Sequence, residues 1–147
     1  MHVRTKLKEA VYNILKGNIS CNVFYNRVFP FSNDDIPCAV VDVLRETIDS
    51  TTLGRKRIQS RTAQLIIDVH VSGNDSSDVI DDINEEIENL LKTDTSFETL
   101  RSNGMKSLNL TDIEFGDSAE GDKKHKVLRM SYDMNYYIRE GDVSSSF

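Results

Sequence analysis

The chain reads as an α+β protein. The expected architecture is a two-layer sandwich with two amphipathic helices on one face of a mostly antiparallel or mixed β-sheet, in the order α-β-β-β-α-β-β. Three observations predict it. Apolar residues recur at helical spacing near the start and again over residues 77 to 92. Residues 61 to 71 and 127 to 138 alternate apolar and polar, the period of a strand with one buried face. The 147 residues hold no internal repeat, so a single domain is expected over 1–140, with a flexible polar tail over 141–147.

Val3, Leu7, Ala10, Val11, Ile14 and Leu15 form one stripe on a helix over residues 3 to 16, which Gly17-Asn18 ends. Arg4, Lys6, Lys8 and Glu9 lie on its polar side. Such a basic amphipathic helix fits a membrane surface as well as the domain's own sheet, and the second use is the expected one. Cys21 to Phe29 is a short strand, and Pro30 to Pro37 a turn region. Cys38 to Leu44 is a nearly continuous apolar strand, as expected for one covered on both faces, or on one face plus a partner. The polar span Glu46 to Arg57 reads as a long projecting loop, mobile in the isolated chain. In the next strand Ala63, Leu65, Ile67, Val69 and Val71 point one way, and Gln64, Ile66, Asp68 and His70 the other.

Residues 72 to 77 supply a turn and a helix cap. Val79, Ile80, Ile83, Ile87, Leu90 and Leu91 then make the stripe of the second helix, whose first turns carry Asp78, Asp81 and Asp82. Phe97 and Leu100 suggest a short helical turn, and Ser107 to Phe115 a strand. Gly116 to Lys126 is a charged connection. It leads to the clearest strand, where Leu128, Met130, Tyr132, Met134, Tyr136 and Ile138 share one face.

Composition bounds the function. Hydrophobic residues make up 38% and charged residues 29%, a globular, soluble balance with no apolar run long enough to span a membrane. Charges replace the apolar core that a secretory signal needs after Met1, so no signal peptide is expected. The net charge of −6 argues against general duplex binding. Cys21 and Cys38 are read as two small buried thiols rather than a disulfide.

No catalytic set stands out, and no enzyme activity, cofactor or metal is expected. His2, His70 and His125 do not fall at metal-binding spacing, and no phosphate-binding or nucleophile motif is present. The carboxylates of Asp78, Asp81, Asp82, Glu85, Glu86 and Glu88 invite a divalent cation, but they fill the polar sector of an amphipathic helix and read as a solvated face. The one dense basic patch is Arg55, Lys56 and Arg57 with Arg61; it suits nucleic acid or an acidic protein surface such as a neighbouring subunit, and equally a solvated loop tip. Asp112, Glu114, Asp117, Glu120 and Asp122 gather near Lys123, Lys124 and Lys126; unlike patches of this kind can meet across a rotational interface.

Taken in order, these segments resemble the tail terminator proteins of long-tailed phages, the minor tail protein U type. The residues that carry the resemblance are Val23-Phe24-Tyr25-Asn26-Arg27-Val28, then Ile36-Pro37-Cys38-Ala39-Val40-Val41, then Glu46. A strand at 65 to 71, an acidic helix with Ile83, Ile87 and Leu90, and the closing strand at 130 to 136 follow in the family's order. Ile36 stands where Leu is more usual, and the basic loop is long. The resemblance covers residues 3 to 138 and implies a structural ring protein, commonly a homohexamer. Such a ring caps the tail tube, stops its polymerisation and offers a surface for head attachment. The implied partners are further copies of the chain, the tail tube protein and the head completion or connector protein. Genome DNA passes only through the lumen, and no membrane is involved. The implied location is the head-proximal end of the virion tail, after assembly in the host cytoplasm. The alternative reading is a head-tail connector, a neck protein of the same virion.

Overall fold

Every second residue of the closing strand, from Leu128 to Ile138, is buried, and the rest of the chain is arranged around that rib. The computed structural model describes residues 1–25, 36–50, 57–73, 77–118 and 125–146. Within them the elements run α1 (Val3–Leu15), β1 (Asn22–Tyr25), β2 (Cys38–Ser50), β3 (Ile58–Ser72), α2 (Ser77–Leu91), α3 (Asp94–Ser102), β4 (Ser107–Ser118), β5 (His125–Arg139) and β6 (Asp142–Ser146). The strands form one mixed sheet in the order β1-β2-β3-β5-β4, and β6 pairs with β5. β1 lies parallel to β2, and the other pairings are antiparallel.

The sheet curls into a half-barrel, not the flatter layer of the expected two-layer sandwich. Two register shifts, at Val43/Arg45 and at Leu110/Asp112, bend β2 and β4 and add twist. The strands are also long, 15 residues each in β3 and β5, so their right-handed twist accumulates into coiling.

The expected element order is corrected in two places. α3 is a nine-residue helix where only a short turn was expected. Its apolar content is low, but Thr93 caps it by accepting from Ser96 N at 3.2 Å, Asp94 lies in its first turn and Arg101 in its last. The second correction is β6, which occupies 142–146 where a flexible tail was expected; Phe147 lies outside the described residues. β6 continues on the edge of β5 beyond the point where β4 ends, because β3 already occupies the other edge as far as Arg139. Lys6 Nζ donates to Ser144 O at 2.6 Å, and Val143 packs on the core. Gly104, at φ +110°, ends α3 under β6; a Cβ there would collide with Ser146 Oγ.

The strand reading of β3 and β5 holds along their length. Ala63, Leu65, Ile67, Val69 and Val71 are buried with the β5 row, with Ala39 and Val41 of β2, and with the stripes of all three helices. α2 lies over β3, its nearest strand, and buries Ile80, Ile83, Ile87 and Leu91. The carboxylates of its opposite sector at Asp78, Asp81, Asp82 and Glu85 are exposed. No described helix is long and apolar enough to cross a membrane. Cys21 and Cys38 are thiols with no disulfide between them.

Ile87 is fully buried in this cluster, so Ile87→Ala removes its methyl and methylene contacts and leaves a cavity. The expected cost is about 2–5 kcal/mol. Urea unfolding measures it, and an unchanged midpoint contradicts the packing described.

Candidate functional site

The hairpin of β2 and β3 is longer than its sequence suggests. Glu46 to Ser50, expected in a loop, continue β2 and pair with residues 59 to 63 of β3. The register explains why such a polar run stays extended. Glu46 sits across from Ala63, Ile48 across from Arg61, and Arg61 across from Tyr136 on β5. An acid, a base and a phenol therefore share the covered face of the sheet, where each satisfies the others.

Of the basic residues singled out in sequence, Arg55 and Lys56 lie outside the described residues. Arg57 Nε donates to Glu140 Oε2 at 3.2 Å, and Glu140 N donates to Arg57 O at 2.7 Å, so this residue ties the start of β3 to the end of β5. Arg61 is not at a loop tip. It lies within β3 with its side chain 13% exposed, and its guanidinium donates to Glu46 Oε2 at 3.2 Å and to Gln59 Oε1 at 3.0 Å. The two described residues of the four, Arg57 and Arg61, are thus held in separate ion pairs, with Glu140 and with Glu46.

Glu46 is the hub. Its side chain is 7% exposed and accepts from Arg61, from Arg4 Nη1 at 2.9 Å and from the Tyr136 hydroxyl. His2 caps α1, its Nδ1 accepting from Arg4 N at 3.0 Å, and lies edge-on to the Tyr136 ring. Burial, then the hydrogen bond to Glu46, raise the Tyr136 pKa. The cluster anchors the start of α1 to three strands.

The opposite face of the sheet carries a second polar set. Arg129 donates to both carboxylate oxygens of Asp68, at 2.8 and 3.0 Å, in a bidentate pair. His70 and His125 are buried with ring centroids 4.8 Å apart. Burial, with His125 adding to it, pushes the His70 pKa down to about 4. Among the described residues no group of three or more His, Cys, Asp or Glu gathers in a way that would hold a metal ion.

The remaining distinctive surfaces are at the two ends of the sheet. At one end β1 pairs with β2 only as far as Val41, so β2 from Val43 onward has no described strand on its outer side. Leu44, displaced by the bulge, is 56% exposed there, and Ile48 is also exposed. At the other end β4 is the edge strand, and its Phe115 is 70% exposed beside Glu114 and Asp117. Sequence reading passed over both apolar residues. A signal was present in each case: Leu44 breaks the alternation of Asp42-Val43-Leu44-Arg45, and Phe115 is an aromatic among acids.

No protein-family model matches the chain, and no curated protein matches it.

Two outcomes test this geometry. Glu46→Ala leaves Arg61 with its charge partner gone in a nearly buried position, so it is expected to cost about 3 kcal/mol or more. Arg4→Ala removes a partner whose side chain is 38% exposed and is expected to cost below about 1 kcal/mol. Equal costs in denaturant titrations contradict the hub. Separately, His70 takes a proton near pH 6.5 in the unfolded chain but near 4 in the fold. The unfolded state therefore binds more protons between those values, and stability falls as pH drops through that window. His70→Gln is expected to flatten the fall, read from urea midpoints at stepped pH; an identical slope in the variant contradicts it.

Proposed function

We propose that the chain is a structural ring subunit of the phage tail terminator type, with no catalytic residue. In this reading copies of the chain close into a ring, commonly a hexamer, at the head-proximal end of the tail. The ring meets the tail tube protein on one side and the head completion protein on the other. The observation that carries the reading is the pair of unlike sheet ends. A subunit with two different adhesive ends joins head to tail, and such contacts close into rings when the rotation permits. The β2 end is a bulged hairpin arm with Leu44 and Ile48 exposed; the β4 end is an acidic edge with Phe115.

The element order gives further support. Of the segments quoted for the resemblance, Val23 to Tyr25, Cys38 to Val41, 65 to 71, Ile83 to Leu90 and 130 to 136 fall on β1, β2, β3, α2 and β5, while Asn26, Arg27 and Val28 lie outside the described residues; its closing carboxylate, Glu46, is the hub of the buried network. Halting polymerisation requires a complementary surface on the tube end, which a rigid hairpin arm supplies without chemistry. The basic residues Arg55, Lys56 and Arg57 are proposed to contact the tube or a neighbouring subunit, and Arg61 to position the arm from within.

The test is genetic and visual. Disruption of the gene in the phage that carries it is expected to yield filled heads and overlong, unjoined tails in electron micrographs. Heads beside unjoined tails of normal length favour the connector reading, and normal virions contradict both. Replacement of Arg55, Lys56 and Arg57 together by Ser is expected to leave the thermal midpoint within a few degrees, since the half-exposed Arg57–Glu140 pair contributes about 0–1 kcal/mol. The same variant is expected to lengthen the tails in complementation; full infectivity with normal tails removes the hairpin tip from the mechanism.

A further inference from the structure

Beside the outer arm of β2, the start of α1 leaves a groove of about 260 Å³, lined by Arg4, Lys8, Val43, Leu44, Arg45 and Glu46. Three cations face one carboxylate in that lining. Asp42 approaches Lys8 at 3.6 Å, and counting it still leaves the corner positive. Arg45 is exposed and forms no ion pair among the described residues. Leu44 stands at the groove with more than half its surface in water.

The far end of the sheet has the opposite character. Between Ser107 and Ser118, β4 carries Asp112, Glu114 and Asp117 and no cation. All three are exposed; Glu114 and Asp117 lie across from Arg129 and Lys126 of β5, which leaves the edge acidic because Arg129 is already paired with Asp68, and Phe115 has 70% of its surface in water. β3 and β5 lie between β2 and β4 in the sheet, so the groove and the acidic edge are separate surfaces of one copy.

We infer that the β4 edge of one copy docks into the α1–β2 groove of a second copy, with Phe115 seated against Leu44 and the β4 carboxylates facing Arg4 and Arg45. The inference rests on the ring reading and names the surfaces that would join its subunits. Charge selects the partner: positive groove meets acidic edge, while two acidic edges or two positive grooves repel. The apolar pair supplies the desolvated centre that such contacts need. The contact is heterologous, so each copy gives one edge and one groove.

Sedimentation velocity of the full chain over a concentration series, with two variants, tests this. Leu44→Asp spoils the groove and Phe115→Asp spoils the edge; both residues are exposed, so the folds should survive, as circular dichroism checks. The wild type is expected to self-associate, and less so as salt rises. Each variant alone is expected to be monomeric. Their equimolar mixture is expected to stop at a dimer, because one intact groove and one intact edge remain. Should either variant misfold, Arg45→Glu or Glu114→Lys takes its place with the same readout. A monomeric wild type at every concentration overturns the inference, as does a variant that still pairs with itself or variants that assemble like wild type. In the last case rings persist with another interface, and the ring reading stands or falls by the tail micrographs.

Discussion

A carboxylate on the covered side of a sheet constrains everything around it. Glu46 faces the same side as Tyr136 and Arg61 because the register of β2, β3 and β5 puts it there. Once buried, it needs its donors: Arg61 and Tyr136 from the sheet and Arg4 from α1. A slip of one residue in β2 would turn Glu46 outward and strand Arg61 without its carboxylate, while exposing Val41 and Ala39. The polar hub and the apolar core thus enforce the same register. The buried apolar row of β3 begins at Ala63 while that of β5 runs on to Ile138, and the Glu46 cluster fills the covered face beside that extension, where β2 and β3 turn polar.

That extension gives the fold its shape. The arm of β2 projects past β1, and β4 forms the other margin of the sheet. Bulges in β2 and β4 help to curl the sheet into a half-barrel. Natural edge strands are usually blunted by charge and irregularity, and both devices are present here. The exposed apolar residues left on each margin, Leu44 and Phe115, are the exceptions to that protection. In the proposed ring these exceptions are the points of contact, and the charges choose which margins meet.

Much of the fold was legible because periodicity reports burial directly. The stripes of α1 and α2 and the alternation of β3 and β5 each follow from one covered face. The misses share a cause: local polarity outvoted by tertiary context. Glu46 to Ser50 looks like loop because its polar residues have no local reason to be extended; their partners are Arg61, Tyr136 and Arg4, remote in sequence. α3 is short and rich in Ser and Thr, and its cap at Thr93 is the one local clue. β6 is held by Lys6 and by β5, neither of which the polar tail advertises. Of the candidate contacts, Arg61 was read as surface by its neighbours in sequence, yet strand parity turns it inward. Arg57 was read as part of a tip and instead pairs with Glu140.

In the proposed ring the chain sits at the joint between tail and head and acts through complementary surfaces at the margins of its sheet. Place is what a single measurement can decide. Immunogold labelling of intact virions carrying a peptide tag at the C-terminus of this chain locates it by electron microscopy. The account predicts gold confined to the head-proximal end of the tail. Gold along the tail, at its distal tip, or absent from purified virions would contradict it.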